Sequence, residues 1–381
     1  MRKFLTITAL ILISLIAQAV TYIDPSAKVA GDGSALRPLK TVPSVISAGE
    51  YRIKAGTTIT TSAQLYIKTT GVYIGKYGKG VAPKFSYTGT GYAIRIEASD
   101  VTIDSIEVDG NRNAHSLVCV MGSVNNYLTD VVIRNCNLHN AHNPNNAGFG
   151  LYSWYTDGLV IQNTYIRDVA LDGAYCRNTP RIQFRAVYIS DINKRYFVNK
   201  DQKYSSGDAI QLDGFWDGFL IAHCDIRRTN GAGNKFNVIL ASAAGVSDNA
   251  TGVIEYCTFE TDYTVTSAVL IERGRGIIVR YNTFEGSTQE IRVAGKYCKD
   301  VEIYGNIFIN CSNGVGVGAT YPGGYPATGT KVYDNEFLNI AKYHIWVDKS
   351  TVQIWDNTHE GKAGSIVQYN YGGGKFVSPK N

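Results

Sequence analysis

Short runs of alternating apolar and polar residues recur along most of the chain. Ten of them share one form, apolar-x-apolar followed by a small residue or asparagine and then another apolar position, and successive runs lie 22 to 38 residues apart. Alternation with a period of two is typical of strands that bury one face. The runs are TIDSIEV, VIRNCNL, VIQNTYI, QFRAVYI, LIAHCDI, VIEYCTF, IVRYNTF, EIYGNIF, KVYDNEF and QIWDNTH.

This repeat predicts a solenoid of strands. One run of this kind cannot bury its apolar face alone, whereas stacked coils bury it continuously. Units of this length without helical periodicity need about three short strands each. We therefore predict an all-β fold, a right-handed parallel β-helix of about ten coils. Leucine-rich and propeller repeats fit less well, because neither a leucine frame nor a Trp-Asp signature recurs.

The centre of each run predicts a side-chain ladder along the stack. The predicted ladder positions are Ser105, Cys136, Asn163, Ala186, Cys224, Cys257, Asn282, Asn306, Asn335 and Asn357. We interpret the three cysteines in this series as small buried thiols in an inward turn. A disulfide stays open as an alternative for one pair, Cys224 and Cys257, which fall on neighbouring coils.

The two ends of the chain differ from the repeat. Residues 1–19 combine a basic start, an apolar stretch and Ala17-Gln18-Ala19, which predicts a cleaved signal peptide; the apolar stretch is short for a membrane anchor. Residues 20–60 are expected to form an N-terminal cap and the first strands, with a short helix around Val42 to Ala48. The β-helix is assigned to residues 61–370 and a flexible tail to 371–381. The mature protein is expected to be secreted, extracellular or periplasmic, and free of the membrane.

Charge gives little guidance about the partner. Charged residues make up 18% of the chain and the formal net charge is +5. Residues 172–300 contain 16 Lys and Arg against 15 Asp and Glu, so this region has no net basic field. A nucleic-acid partner is therefore not expected, and an acidic ligand would have to be recognised by individual residues.

Two long insertions follow the ladder position, in residues 139–150 and 192–207. They are expected to project from the same flank of the β-helix and to form the side of a groove.

The strands that follow the ladder position align as AGFGLYSW, LDGAYCRN, GDAIQLDG, NKFNVILA, SAVLIERG and EIRVAGK. Neighbouring coils are about 4.8 Å apart, so residues at matching positions stack. The alignment predicts a row of Asp172, Asp208, Lys235, Ser267 and Glu290. This row is either a site or a salt-bridged polar ladder, and Asp217 is expected to serve a turn.

The alternation of inward and outward residues along the same strands predicts which side chains point outward. Alternation puts Tyr152, Tyr175, Arg177, Gln211, Asp213, Asn237 and Arg292 on the outer face. All of them except Asp213 are predicted to bind substrate, together with His142 from the first long loop.

Two reactions suit these residues. In β-elimination on a uronic-acid sugar, Lys235 would be the base if burial lowers its pKa. Arg273 would clamp the sugar carboxylate, and Asp208 completes the predicted catalytic set. Asp172, Asp208 and Asp213 are candidate ligands for Ca²⁺. In hydrolysis, two of the aspartates would act as acid and as base or nucleophile. A non-catalytic carbohydrate-binding or adhesion solenoid is the third alternative.

The GDGS turn, the Asn/Cys ladder and the segments DGAYC, GDAIQL and GNKFNVIL resemble the pectate-lyase-like superfamily of secreted right-handed β-helices. The resemblance covers nearly the whole mature chain and implies activity on a polysaccharide. GNKFNVIL is similar to the segment that carries the lysine base in calcium-dependent pectate lyases of the family-nine kind, although here the lysine precedes the phenylalanine. Family-six lyases use a lysine and an arginine on consecutive coils, as Lys235 and Arg273 would be. The polygalacturonase motifs are absent. The resemblance favours a polysaccharide lyase acting on an acidic polysaccharide.

Overall fold

The computed structural model describes residues 20–143, 148–192, 207–229, 236–240, 249–260, 267–286, 289–318, 326–360, 362–363, 368–371 and 373–378. Within these ranges the regular secondary structure consists of β-strands, with no helix. The described residues therefore include no helix that could span a membrane. The strands form three long sheets of 14, 13 and 12 strands, which the chain visits in turn. The predicted right-handed parallel β-helix is confirmed.

Strand pairing is parallel except at one end of the second sheet, where 358–359 and 362–363 pair antiparallel. The first sheet contains Val20–Ile23, Gly49–Lys54, Val72–Tyr77, Val101–Asp104, Val131–Arg134, Val160–Gln162, Gln183–Arg185, Phe219–Ala222, Gly252–Glu255, Ile277–Arg280, Glu302–Tyr304, Thr330–Tyr333, Thr351–Trp355 and Lys375–Val377. The second contains Thr58–Thr61, Lys84–Tyr87, Glu107–Asp109, Asn137–Ala141, Tyr165–Val169, Tyr188–Ile192, Asp225–Thr229, Thr258–Glu260, Thr283–Glu285, Ile307–Ile309, Glu336–Leu338, Thr358–His359 and Lys362–Ala363. The third contains Leu65–Ile67, Tyr92–Ile96, Ser116–Met121, Phe149–Trp154, Ala174–Arg177, Ile210–Asp213, Phe236–Leu240, Ser267–Arg275, Gln289–Lys299, Asn313–Gly318, Tyr343–Asp348 and Gln368–Tyr371.

Identical side chains stack through the core from coil to coil. Phe259, Phe284, Phe308 and Phe337 occupy matching positions of the second sheet and are fully buried. Their neighbouring ring centroids are 4.9, 5.1 and 4.8 Å apart with nearly parallel planes. These distances match the spacing of hydrogen-bonded strands, so one aromatic column fills the inside of four coils.

The corner between the first and second sheets is built from two consecutive residues. The first has a positive φ in all ten repeats, at Ser105, Asn135, Asn163, Ala186, His223, Tyr256, Tyr281, Gly305, Asp334 and Asp356. The second turns its side chain inward and is buried, at Ile106, Cys136, Thr164, Val187, Cys224, Cys257, Asn282, Asn306, Asn335 and Asn357.

The predicted ladder was therefore wrong at three positions. Ser105, Asn163 and Ala186 belong to the left-handed position, one residue before the inward one. Asparagine suits both positions, because it tolerates positive φ better than most residues and also bonds neighbouring backbone groups. The sequence pattern alone could not tell the two apart.

The four asparagines of the later coils form a continuous hydrogen-bonded ladder. Asn306 Oδ1 accepts from the backbone N–H and the side-chain Nδ2 of Asn282, each at 3.0 Å. Asn306 donates in the same way to Asn335 Oδ1, again at 3.0 Å, and Asn335 donates to Asn357 Oδ1 at 3.1 and 2.9 Å. Each amide thus satisfies the buried backbone donor of the preceding coil.

The cysteines continue this ladder without forming bridges. All seven are free and buried, which confirms the prediction of buried thiols. Cys224 and Cys257 are not bridged; the Cys224 N–H donates to Cys257 Sγ at 3.4 Å. Cys257 N–H in turn donates to Asn282 Oδ1 at 2.9 Å, where the asparagine series begins.

The N-terminal segment lacks the predicted helix. Residues 42–48 form bends, in which Ile46 is buried and Tyr51 Oη lies 2.9 Å from the Ser47 backbone nitrogen. Pro43 disfavours a helical conformation at Val42, and valine, isoleucine and serine are weak helix formers. At the other end, Lys375–Val377 adds a strand to the first sheet within the segment predicted as a tail. Residues 1–19 lie outside the described ranges, and the domain boundaries stay predictions.

Replacement of Asn306 by alanine should lower the free energy of unfolding by about 2 to 4 kcal/mol. It leaves the buried Asn282 N–H without its acceptor and removes the amide that donates to the Val279 and Tyr304 carbonyl oxygens. The measurement is equilibrium unfolding in denaturant, with Asn126→Ala, at an exposed turn, as the matched control. Equal stability of the two variants would contradict the role assigned to the ladder.

Candidate functional site

The outer face of the third sheet presents parallel columns of side chains. The strands pair in register, so one residue of each coil falls in what we call the middle column: Tyr66, Arg95, Cys119, Tyr152, Tyr175, Gln211, Ile239, Leu270, Arg292, Gly316 and Trp346. Two residues further along each strand lies the distal column, which includes Met121, Trp154, Arg177 and Asp213. The predicted outward residues Tyr152, Tyr175, Arg177, Gln211, Asp213 and Arg292 thus share one face.

Six rings on four consecutive coils form an aromatic cluster at one end of this face. Tyr152 stacks on Tyr175 with 5.5 Å between ring centroids and on Trp154 with 5.8 Å. Phe149 contacts both tyrosines at 5.1 and 6.0 Å. The cluster comprises Tyr92, His115, Phe149, Tyr152, Trp154 and Tyr175. Burial lowers the pKa of His115 and raises that of Tyr152 to about 12, so both side chains are uncharged near neutral pH.

Asp213 marks the junction between the aromatic cluster and a charged region. Tyr175 Oη donates to Asp213 Oδ2 at 3.0 Å, and Arg177 Nε lies 3.7 Å from the same oxygen. The Gly214 N–H donates to the other carboxylate oxygen at 2.7 Å. The Arg177 guanidinium also lies 5.6 Å from the ring centroid of Trp154. Burial and the neighbouring carboxylate raise the pKa of Tyr175, which keeps the phenol protonated as a donor.

Glu272 is a candidate that the sequence analysis missed. It lies two residues after Leu270 and therefore falls in the distal column, two coils beyond Asp213. It is half-buried, and burial raises its pKa; Arg273 and Arg292 oppose this shift, while Asp213 adds to it. The sequence does hold a sign of this residue: aligning VLIE (269–272) with IQLD (210–213) places Glu272 at the position of Asp213.

Asp172 and Asp208 lie side by side at the heads of two third-sheet strands, as predicted. Both are nearly buried, at 5% and 3% exposure. The Asp208 N–H donates to Asp172 Oδ1 at 2.7 Å. Burial raises the pKa of Asp172 to about 7, and this hydrogen bond only partly opposes the shift.

Ser267 keeps its predicted place in the row, whereas the positions assigned to Lys235 and Glu290 are each off by one residue. Ile210 pairs with Val238, and Phe236 pairs with Ser267, so Phe236 follows Asp208 in this row. Lys235 itself lies outside the described residues. Gln289, not Glu290, is the residue of the next strand that matches Ser267, and Glu290 is fully buried.

The three aspartates predicted to bind calcium do not come together. Asp208 precedes the strand Ile210–Asp213, and Asp213 ends it, so the two carboxylates belong to opposite ends of this strand. Within the described ranges, no group of three or more His, Cys, Asp or Glu side chains is arranged to hold a metal. Calcium binding by these three residues stays a prediction.

Several other predicted residues lie elsewhere. His142 is fully buried with Nε2 3.7 Å from Asp168 Oδ1, so a substrate contact was wrongly predicted for it. Ile239, not Asn237, pairs with Gln211, and the Asn237 side chain lies outside the described part. Arg273 follows a register shift, and its guanidinium lies 4.0 Å from the centroid of the Tyr297 ring.

Asp217 serves a turn, as predicted. Its Oδ1 accepts from the Thr251 N–H at 2.7 Å and from the Thr251 hydroxyl at 2.9 Å.

Comparison with known proteins shows the fold. No protein-family model matches the chain, and no curated protein matches its sequence. The A-module of Azotobacter vinelandii mannuronan C-5 epimerase AlgE4 is similar over 87% of this chain and 91% of its own, at 17% identity and a TM-score of 0.65. The Dettilon tailspike protein is similar over 84% and 62% at 12% identity and 0.61. Pectate lyase Pel9A is similar over 91% and 80% at 13% identity and 0.50.

Asp172→Asn should change how stability depends on pH. The pKa of Asp172 rises from an ordinary 3.8 to about 7 on folding, so the folded protein binds the proton more tightly and loses stability as the pH rises from about 4 to 7. The asparagine keeps an acceptor for Asp208 and should remove this loss, on the order of a few kcal/mol. Unfolding midpoints across this pH range measure it. The exposed Asp130→Asn is the control, and parallel pH profiles for Asp172→Asn and the wild type would refute the assignment.

Proposed function

We propose that the protein is an exported enzyme that binds an acidic polysaccharide along the outer face of the third sheet and cleaves it by β-elimination. The observation that carries the proposal is the arrangement around Asp213. There Arg177 lies beside the aromatic cluster. Glu272 lies two coils further along, and the nearly buried Arg292 is its neighbour on the next coil. Aromatic rings, arginines and carboxylates on one accessible face are what binding a uronate-containing glycan requires.

The chemistry assigns a task to each kind of group. A base removes the proton next to the sugar carboxylate, and negative charge then grows on that carboxylate until the glycosidic oxygen leaves. Arg292, on the coil next to Glu272, would neutralise this charge, since a guanidinium fits a carboxylate in bidentate fashion. Arg177, four coils away, would hold the carboxylate of another sugar. A raised pKa makes Glu272 a suitable proton donor to the leaving oxygen. Lys235 remains the proposed base, on the strength of the sequence.

Two of the similar structures support an acidic substrate by their names. One is an epimerase of mannuronan and the other a lyase of pectate, and both polymers consist of uronate units. Export is inferred from residues 1–19, which have the pattern of a cleaved signal.

Hydrolysis is the second candidate, favoured by one observation. Asp213 and Glu272 occupy the same column two coils apart, so their backbones are separated by about 10 Å. Inverting glycosidases place their two carboxyl groups at about 6.5 to 9.5 Å. Side chains that lean toward each other would reach this range.

Product analysis separates the two reactions. The protein is incubated with pectate, alginate and chondroitin, each with added calcium and with a chelator. We expect a rise in ultraviolet absorbance from the unsaturated sugar, and Glu272→Gln should reduce its rate at least tenfold. Calcium dependence would point to a metal site formed with substrate. New reducing ends without absorbance would reject elimination in favour of hydrolysis.

Lys235→Ala tests the proposed base. The variant should lose lyase turnover, because no other group would remove the proton, while its melting temperature and circular dichroism stay those of the wild type. Lys299→Ala replaces an exposed lysine at the end of a third-sheet strand and should keep full activity. If Lys235→Ala turns over normally, the base is another residue.

A further inference from the structure

Strand pairing in the third sheet is interrupted beside Glu272, the proposed proton donor. Ile271 pairs with Val293, but the next pair joins Arg273 to Tyr297. Glu272 alone on its strand therefore faces three residues of the neighbouring strand, and these three form a β-bulge. Bulges are common next to active sites, where they redirect a side chain or a short segment of backbone.

The bulge consists of residues 294–296, and its first residue, Ala294, belongs to a small apolar cluster. Ala294 is 8% exposed, Leu270 is fully buried, and Ile239 packs against them. This cluster is separate from the core of the β-helix. Leu270 and Ile239 belong to the middle column, so the cluster lies on the outer face of the third sheet. An apolar side chain on an outer face is buried only where something covers it, and the bulge supplies part of this cover.

Glu272 lies at the edge of this apolar cluster. It follows Leu270 by two residues on the same face of the strand, and it lies opposite the bulge. Its side chain is half-buried. Burial raises the pKa of Glu272, and the charge of Asp213 adds to the increase. Arg273 and Arg292 lower this pKa, but burial has the larger effect.

The neighbouring strand brings further titratable side chains to this region. Arg273 lies against Tyr297, with its guanidinium 4.0 Å from the ring centroid. Burial raises the pKa of Cys298, so its thiol is uncharged near neutral pH. The side chain of Lys296 lies outside the described part of the chain. The described charges that act on Glu272 are thus two arginines and one carboxylate, and burial outweighs their sum.

We propose that the bulge and Leu270 are positioning elements of the active site, which shield Glu272 from water and so keep its carboxyl group protonated. This inference rests on the proposed function, in which Glu272 gives a proton to the leaving glycosidic oxygen. As the bond between the sugar carbon and that oxygen breaks, the oxygen keeps the electron pair and takes the proton, and Glu272 becomes a carboxylate. Hydrolysis would use the same proton, so the role of the bulge is common to both candidate reactions.

The experiment removes the shield and keeps the acid. Deletion of residues 295 and 296 leaves Ala294 alone opposite Glu272, as in a regular strand pair. A carboxyl group that becomes hydrated ionises at lower pH, so the alkaline limb of the kcat/KM profile should move down by about one pH unit or more. Well below that limb the acid is protonated in both proteins, and kcat/KM should stay within about twofold. The substrate is whichever of pectate, alginate and chondroitin the wild type cleaves fastest.

A point substitution makes the same test without shortening the chain, and it decides the matter if the deletion does not fold. Leu270→Thr introduces a hydroxyl and suits a strand, and it should move the alkaline limb in the same direction. Leu270→Met keeps the apolar cover and should retain the wild-type profile. Leu220→Thr replaces a half-buried, outward leucine of the first sheet and is the matched control. An unmoved limb in Leu270→Thr, or an equal loss of activity at every pH, would overturn the inference.

Failure of the inference is distinguishable from failure of the proposed function. If no polymer is cleaved, the ionisation of Glu272 is followed by nuclear magnetic resonance of protein labelled with ¹³C at its glutamate carboxyl groups. The resonance that is missing in Glu272→Gln identifies this residue. A raised titration midpoint in the wild type and a lower one in Leu270→Thr would support the inference in the absence of activity. Equal midpoints in the two proteins would overturn it.

Discussion

Everything in this molecule depends on the two-residue corner between the first and second sheets. One residue takes a left-handed conformation, and the next turns inward and must find partners for its buried polar groups. In the later coils the asparagine amides supply these partners from one coil to the next. A misplaced corner would send every following side chain to the wrong face, because strand alternation has a period of two. The buried amide ladder therefore fixes the register of the later coils.

The register set at the corner also determines which side chains lie next to each other on the outer face of the third sheet, where a ligand could bind. Because each coil repeats the same path, residues that are 22 to 36 positions apart in sequence become neighbours in the middle column. Asp213 and Glu272 share a column in this way, and Tyr152 stacks on Tyr175. The core is thus almost purely structural, and the chemistry belongs to side chains that point away from it. The Tyr175–Asp213 hydrogen bond joins the apolar and charged parts of the face into one continuous surface.

The sequence was sufficient for the fold and for the outer face, but not for single-residue register. Alternation and the repeat length predicted the coils, and they placed Tyr152, Arg177 and Asp213 outward. The ladder was misassigned at Ser105, Asn163 and Ala186, because asparagine and small residues suit both corner positions. The calcium set combined Asp208 and Asp213 because they are close in sequence, whereas in the structure they belong to opposite ends of one strand. Glu272 was missed because the three consecutive apolar residues of VLIE lack the alternation that reveals the facing of each residue in IQLD.

The most direct test of the account is where an acidic oligosaccharide binds. A crystal structure of Glu272→Gln with a uronate-containing oligosaccharide would locate it. The account predicts a chain that runs along the third sheet, with a sugar ring on Tyr152 and a carboxylate at Arg177. An oligosaccharide on the first or second sheet, or one that crosses the third sheet without contact to either residue, would contradict it.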